Sequence, residues 1–150
     1  MLVLTRKVQE QIQIGDDIVY LALVVSHHLL QAGARLFEVH PLFEAAARGE
    51  IKALWIACTN PAQSLPDQAT VRRALERAEF VVVQEAFATT ATCAYADLLL
   101  PATTWGEKDG TVTNSERRIT RVLPALEAPG QARQDWRIAS DFALRLGGLL

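Results

Sequence analysis

Cysteine is scarce in this chain: 2 in 150 residues, Cys58 and Cys93, 35 positions apart and with no CxxC pair. An iron–sulfur cluster is ordinarily held by four thiolates, so this chain alone cannot supply one. The scarcity also excludes a disulfide framework, and a reducing cytoplasm is the default location. Basic charge is not in excess. Lys and Arg number 15 against 17 Asp and Glu, a formal net charge of −2, so bulk electrostatics do not favour nucleic acid. Long hydrophobic runs are missing as well. The longest, Ile18 to Leu30, is broken by Ser26, His27 and His28 and is too short for a membrane span, which needs about 20 apolar residues. Arg6 and Lys7 stand near the N-terminus without the apolar core and small-residue cleavage site of a signal peptide. Neither GxGxxG nor the GxxxxGK of a P-loop occurs, which excludes a standard nicotinamide or P-loop site. His27, His28 and His40 have no carboxylate at ligand spacing, so no metal site is expected.

What is present is globular composition, 50% hydrophobic and 21% charged, at a length that suits one domain. From residue 51 onward helices and strands alternate. Ala53 to Cys58 is a short continuous apolar run, as expected for a strand buried on both faces, and Thr59, Asn60 and Pro61 break it. Asp67 can cap a helix that places Val71, Ala74, Leu75 and Ala78 on one side. Phe80 to Val83 reads as a second buried strand, Thr89 to Tyr95 as a short helix, and Leu98 to Leu100 as a third strand ended by Pro101. Crossover connections at this spacing predict parallel strands over about 52–58, 80–84 and 97–100. A last helix is expected from about Gln134 to Leu146, with Trp136, Ile138, Ala139, Phe142 and Leu146 as its apolar set. The expected fold class is α/β, a three-layer Rossmann-like parallel sheet with a β-rich N-terminal segment. A composition shift near residue 35 divides the chain into a hairpin-like segment, 1–35, and an α/β domain, 36–150. Within the first, Gly15 to Asp17 would turn the chain ahead of Ile18 to Val25.

Ligands of open α/β sheets sit beyond the carboxyl ends of the strands. Three loops are expected there: Thr59 to Pro61, Gln84 to Thr92, and Pro101 to Asn114. Thr hydroxyls and exposed N–H groups suit a pyrophosphate, while Gln84 and Glu85 suit a ribose diol or a guanine edge. Caps and turns use the same residue types, so composition leaves both readings standing. Cys58 and Cys93 read as buried thiols packed as small hydrophobes. Trp55, Trp105 and Trp136 read as core anchors or loop plugs.

Four stretches carry a resemblance: IKALWIACTNPAQSLPD at 51–67, VVVQEAFATTATCAYAD at 81–97, LPATTWGEKDGTVTNSERR at 100–118, and PGQARQDW at 129–136. In that order they resemble the nucleotide-side domain of the molybdopterin oxidoreductases, nearest to the bacterial assimilatory nitrate reductases, over about residues 36–148. The resemblance implies a domain that binds one guanine dinucleotide arm of the molybdenum cofactor. Thr59 and Asn60 would face its phosphates. Gln84 and Glu85 would lie near the nucleoside, with Thr90 and Thr92 close by. Glu107, Gly110, Thr111 and Asn114 would approach the nucleotide or pterin side. Arg117 and Arg118 would neutralise phosphate or carboxylate charge, or pair on the surface with Glu107, Asp109 or Glu116. No catalytic residue and no metal ligand is expected here. Molybdopterin guanine dinucleotide belongs to the full-length parent, and none is expected to be retained by this chain. The partners implied are the cofactor or guanine nucleotide and the remainder of the parent enzyme, with no membrane.

Residues 1–18 resemble something else. Met1 to Val8, followed by Ile12 to Ile18, is similar to the opening of the carbon-storage-regulator family of RNA-binding proteins. That implies Leu4, Thr5, Arg6 and Lys7 on an edge strand meeting RNA. The second basic strand of that family is absent. An RNA-binding module through residues 4–7, or an inert truncated domain, are the alternatives to the enzyme reading.

Overall fold

The structure, a computed structural model, describes residues 12–14, 17–19, 21–25 and 39–147. The described residues divide into two compact units, those up to residue 99 and those from residue 100 onward.

The first unit is built on a sheet whose first three strands run parallel. Its strands are β3 (Leu21–Val25), β4 (Ala53–Ala57), β5 (Phe80–Glu85) and β6 (Leu98–Pro101), side by side in that order. β3 runs parallel to β4 from Leu21↔Ala53 to Val25↔Ala57, and β4 parallel to β5 from Ala53↔Phe80 to Ala57↔Gln84. All five residues of β4 are buried, which is why its sequence is continuously apolar rather than alternating. At the start of β6, Asp97 is stitched to β5. Its N–H donates to Val81 O at 2.9 Å, and its Oδ2 accepts from Val81 N at 2.7 Å.

Three helices accompany the sheet: α1 (Val39–Arg48), α2 (Pro61–Ser64) and α3 (Gln68–Arg77). Phe43, Ala46 and Ala47 of α1 and Val71, Ala74 and Leu75 of α3 form one core with Leu54, Ile56, Val81 and Val83. Because Leu54 pairs with Val81 and Ile56 with Val83, those four side chains share one face of the sheet. The Asp67 carboxylate caps α3 by accepting from Thr70 N, as its sequence position predicts.

The N-terminal strands differ in part from expectation. β1 (Ile12–Ile14) and β2 (Asp17–Val19) are the expected antiparallel hairpin, in register Ile12↔Val19. The run from Ile18 to Val25, however, is shared between two sheets, and its second half, β3, joins the parallel sheet. A short all-apolar stretch fits a hairpin strand and a parallel strand equally well, so composition could not separate them. The parallel sheet therefore recruits residues on the N-terminal side of position 35.

The second unit contains β7 (Gly110–Thr113), β8 (Ile119–Val122) and α4 (Asp135–Gly147). β7 and β8 pair antiparallel from Gly110↔Val122 to Thr113↔Ile119. The expected loop from Pro101 to Asn114 thus ends in a strand. The hairpin is polar and mostly exposed on both faces, so it carries no hydrophobic alternation to announce it. α4 spans nearly the expected residues, but of its expected apolar set Trp136, Ala139 and Phe142 are exposed, while Ile138 is buried. Trp136 is 50% exposed and Phe142 39%.

Candidate functional site

The carboxyl end of β4 makes a sharp departure. Cys58 still donates its N–H to Gln84 O at 3.1 Å, but its φ is +57°, a left-handed conformation uncommon outside Gly, Asn and Asp. The strand therefore stops at Ala57 and Cys58 is exposed, not buried within the strand as its apolar context suggested. The turn directs Thr59 and Asn60 off the sheet edge into α2, whose first residue is Pro61.

Asn60 organises this edge. Its Oδ1 accepts from Thr92 N at 3.0 Å and from Thr92 Oγ1 at 2.7 Å, while its Nδ2 donates to Gln63 Oε1 at 2.8 Å. Thr92 Oγ1 in turn accepts from Ala62 N at 3.1 Å. The loops after β4 and β5 are thereby locked together. Thr92 is fully buried, so its hydroxyl is spent on this lock. Thr59 is half-buried beside it.

Beyond β5, Gln84 is buried and Glu85 is half-buried. The Glu85 carboxylate accepts from Ala86 N through Oε1 at 2.7 Å, which fixes that oxygen. Phe87 and Thr90 close the turn, with Thr90 N donating to Phe87 O. Thr90 Oγ1 lies 3.1 Å from Cys93 Sγ, and that thiol donates to Phe87 O at 3.6 Å. Cys93 sits in a 3-10 turn, Ala91–Tyr95, half-buried and packed against the core. The N-terminus of α3 is closed to anions because the Asp67 carboxylate occupies it.

In the second unit the expected site residues line one stretch of chain. Glu107 accepts from Thr104 N at 2.9 Å through Oε2 and completes a capping box with the Thr104 hydroxyl. Gly110 and Thr111 open β7. Asn114 turns the hairpin: its Oδ1 accepts from Arg118 N at 2.9 Å, and its own N–H reaches Arg118 O at 3.1 Å. Arg118 lies 3.8 Å from Glu116, whereas Asp109 pairs with Arg121 at 3.0 Å. Arg117, at φ +64°, forms the turn itself.

A residue that sequence reasoning missed holds this stretch. Gln134 Oε1 accepts from Thr103 Oγ1 and from Asp109 N, both at 3.0 Å, and its Nε2 donates to Glu107 O at 2.7 Å. Trp136 adds a bond from Nε1 to Asp109 O at 2.9 Å, so it is a loop pin as one of its two sequence readings held. Trp55 is the core anchor, and Trp105 is largely exposed. Lys108 sits 5.4 Å over the Trp105 ring and 3.0 Å from Asp135.

Among the described residues, no group of three or more His, Cys, Asp or Glu could hold a metal ion, and no helix is long and apolar enough to cross a membrane. Leu4 to Lys7, His27 and His28 lie outside the described residues. The donor set at both edges is hydroxyls, amides and carboxylates, which suits a sugar or a base more than a metal.

The family model described as molybdopterin oxidoreductase matches residues 35–145. A nitrate reductase of Klebsiella oxytoca is 50% identical over 106 residues, which cover 71% of this chain and 12% of that protein. The assimilatory nitrate reductase catalytic subunit of Bacillus subtilis is 40% identical over 108 residues, covering 72% of this chain and 15% of that protein. Among solved structures, acetylene hydratase from Pelobacter acetylenicus superposes with a TM-score of 0.63 at 25% identity, over 71% of this chain and 15% of that one. The chain thus spans about an eighth to a seventh of the length of these relatives. The resemblance of residues 1–18 to an RNA-binding family gains no support, since the matched family span begins at residue 35. The chain belongs to the molybdopterin oxidoreductase family.

Proposed function

We propose that this chain is the nucleotide-side part of a nitrate-reductase-type molybdoenzyme and that it holds one guanine dinucleotide arm of the cofactor. The observation that carries this reading is Glu85. It follows the buried part of a parallel strand, is half exposed, and has one carboxylate oxygen fixed by Ala86 N. A carboxylate so placed suits the N–H donors of a guanine edge or the O–H donors of a ribose diol. Thr59 and Thr90 would complete the first-unit surface, with Gln84 buried beneath it. Asn60 and Thr92 would act by fixing its two loops. Glu107, Gly110, Thr111 and Asn114 would serve the nucleotide or pterin side, with Glu107 acting through the Thr104 cap. When bound, the cofactor supplies the redox chemistry, and these residues supply position.

The partner in this reading is the remainder of the parent enzyme, within a three-layer, Rossmann-like arrangement in the cytoplasm. Large exposed apolar side chains of the second unit support such a partner: Trp105, Ile119, Leu123, Leu126 and Leu144 are all exposed. Cofactor would not stay on this chain by itself. The test is a titration of the purified chain with GDP and ADP, followed by nuclear magnetic resonance. GDP is expected to shift amides at 59–61 and 84–92, and E85A is expected to lose the preference for GDP. Equal, nonspecific shifts across the chain for both nucleotides would overturn the reading.

A further inference from the structure

The first unit exposes three large hydrophobic side chains among its described residues: Phe80 at 45%, Phe87 at 63% and Leu98 at 43%. Phe80 and Leu98 are the first residues of β5 and β6. Phe87 alone stands past the carboxyl end of a strand, two residues beyond Glu85, and it is the most exposed of the three. Its backbone is fastened, since Phe87 O accepts from Thr90 N and from Cys93 Sγ. The ring is therefore carried from a fastened stretch of backbone on the edge proposed for the nucleotide, with most of its area facing water.

We propose that Phe87 is the stacking surface for the purine ring, an inference that rests on the reading of this edge as a guanine-nucleotide site. A phenyl face stacks on any base and so contributes affinity without choosing the base. The Glu85 carboxylate chooses, because it accepts hydrogen bonds and guanine offers N–H donors on its Watson–Crick edge. Affinity and base preference are thus divided between two neighbouring side chains. This division separates the inference from the reading beneath it: Phe87 governs how tightly any purine nucleotide binds, and Glu85 governs which one.

The experiment titrates the 150-residue chain, its F87A, F87L and F87W variants and E85A with GDP, ADP and ribose 5-phosphate, following ligand and protein resonances. In the unmodified chain the guanine H8 and the Phe87 ring protons are expected to shift upfield together on mixing. F87A and F87L should weaken GDP about 5- to 100-fold, the range base–aromatic stacking supports, with ribose 5-phosphate unchanged. F87W should bind GDP within about twofold of the unmodified chain, since an indole also offers a face for stacking. F87L keeps apolar bulk but loses the π face, so it serves if F87A fails to fold. Binding of GDP by F87A and F87L at unmodified strength overturns the stacking role while leaving the nucleotide reading intact. Absence of GDP binding in the unmodified chain overturns both.

Discussion

Asn60 Oδ1 accepts two hydrogen bonds from one residue, Thr92, through its backbone N–H at 3.0 Å and its hydroxyl at 2.7 Å. The same hydroxyl oxygen accepts from Ala62 N, so the segments after β4 and β5 meet at a fully buried side chain. Replacing that hydroxyl with a methyl strands the buried N–H of Ala62 and leaves Asn60 Oδ1 with only the Thr92 backbone N–H. Removing one partner of a buried pair costs more than the pair is worth on average. T92V is therefore expected to lose about 1–3 kcal/mol in urea unfolding, with T92S retaining most of the stability. N60D keeps the accepting oxygen and is expected to be milder than N60A. Equal stability of T92V and the unmodified chain would rule out the clamp.

Gln134 does the corresponding work in the second unit, with one amide group serving Thr103, Glu107 and Asp109. Gln134→Ala is expected to raise amide hydrogen exchange at Asp109 by an order of magnitude or more, and to cost about 1–3 kcal/mol. Gln134→Glu keeps both acceptances and loses the donation to Glu107 O, so its effect should be smaller and confined to the Glu107 side. Unchanged exchange at Asp109 in the Ala variant would show that the loop is held by other contacts.

Much of this architecture is legible in the sequence because the signals are local. Ala53 to Ala57 and Phe80 to Val83 are apolar runs of strand length, and Asp67 stands at a helix start, so burial and capping chemistry identify them. The elements that escaped depend on distant partners. β3 is assigned to the parallel sheet only by its pairing with β4, some thirty residues away. β7 and β8 have no buried face to create a pattern. α4 shows an apolar set that remains mostly exposed, since periodicity reveals a face but not what covers it. In the candidate site, the residue types were readable and their duties were not. Asn60, Thr92 and Glu107 look like ligand groups in sequence, yet each is committed to an internal hydrogen bond. Cys58 looked like a strand residue until the left-handed turn at that position exposed it.

Arg48 and Glu50 make a two-point pair at the end of α1, with Nε to Oε1 at 2.6 Å and a second N–H to Oε2 at 3.0 Å. The hydrogen bond from Arg48 holds the Glu50 carboxyl below its ordinary range, and the same bond raises the Arg48 guanidinium. A depressed carboxylate contributes stability above the unfolded-state value, and that contribution disappears as pH falls through the folded-state value. The window is therefore the acid side of the ordinary glutamate range, near pH 4 and below. Both groups are well exposed, so salt screens the pair and its share of stability is small. A carbon-detected titration should place the Glu50 midpoint below the ordinary glutamate range. R48Q should return it to the ordinary range, and an unmoved midpoint in that variant would sink the assignment.

Nitrate reduction by the 150-residue chain alone is not expected. Oxygen-atom transfer requires a positioned metal and a supply of electrons, and in such enzymes the cofactor carries the hard chemistry while protein fixes its place. The chain covers 12% of the Klebsiella oxytoca relative, and its two cysteines fall short of the four thiolates a cluster ordinarily needs. One nucleotide arm, if held at one edge as proposed, would leave the pterin and metal open to water, so retention and orientation should both fail. Purified chain is expected to contain neither molybdenum nor iron in stoichiometric amount and to form no nitrite with a reduced viologen dye. Metal approaching one atom per chain, together with nitrite formation above a protein-free blank, would reverse this conclusion. Supplying the missing parts of a homologous enzyme in trans is the informative complement. Restored turnover that is lost again with E85A would tie activity to the edge described above.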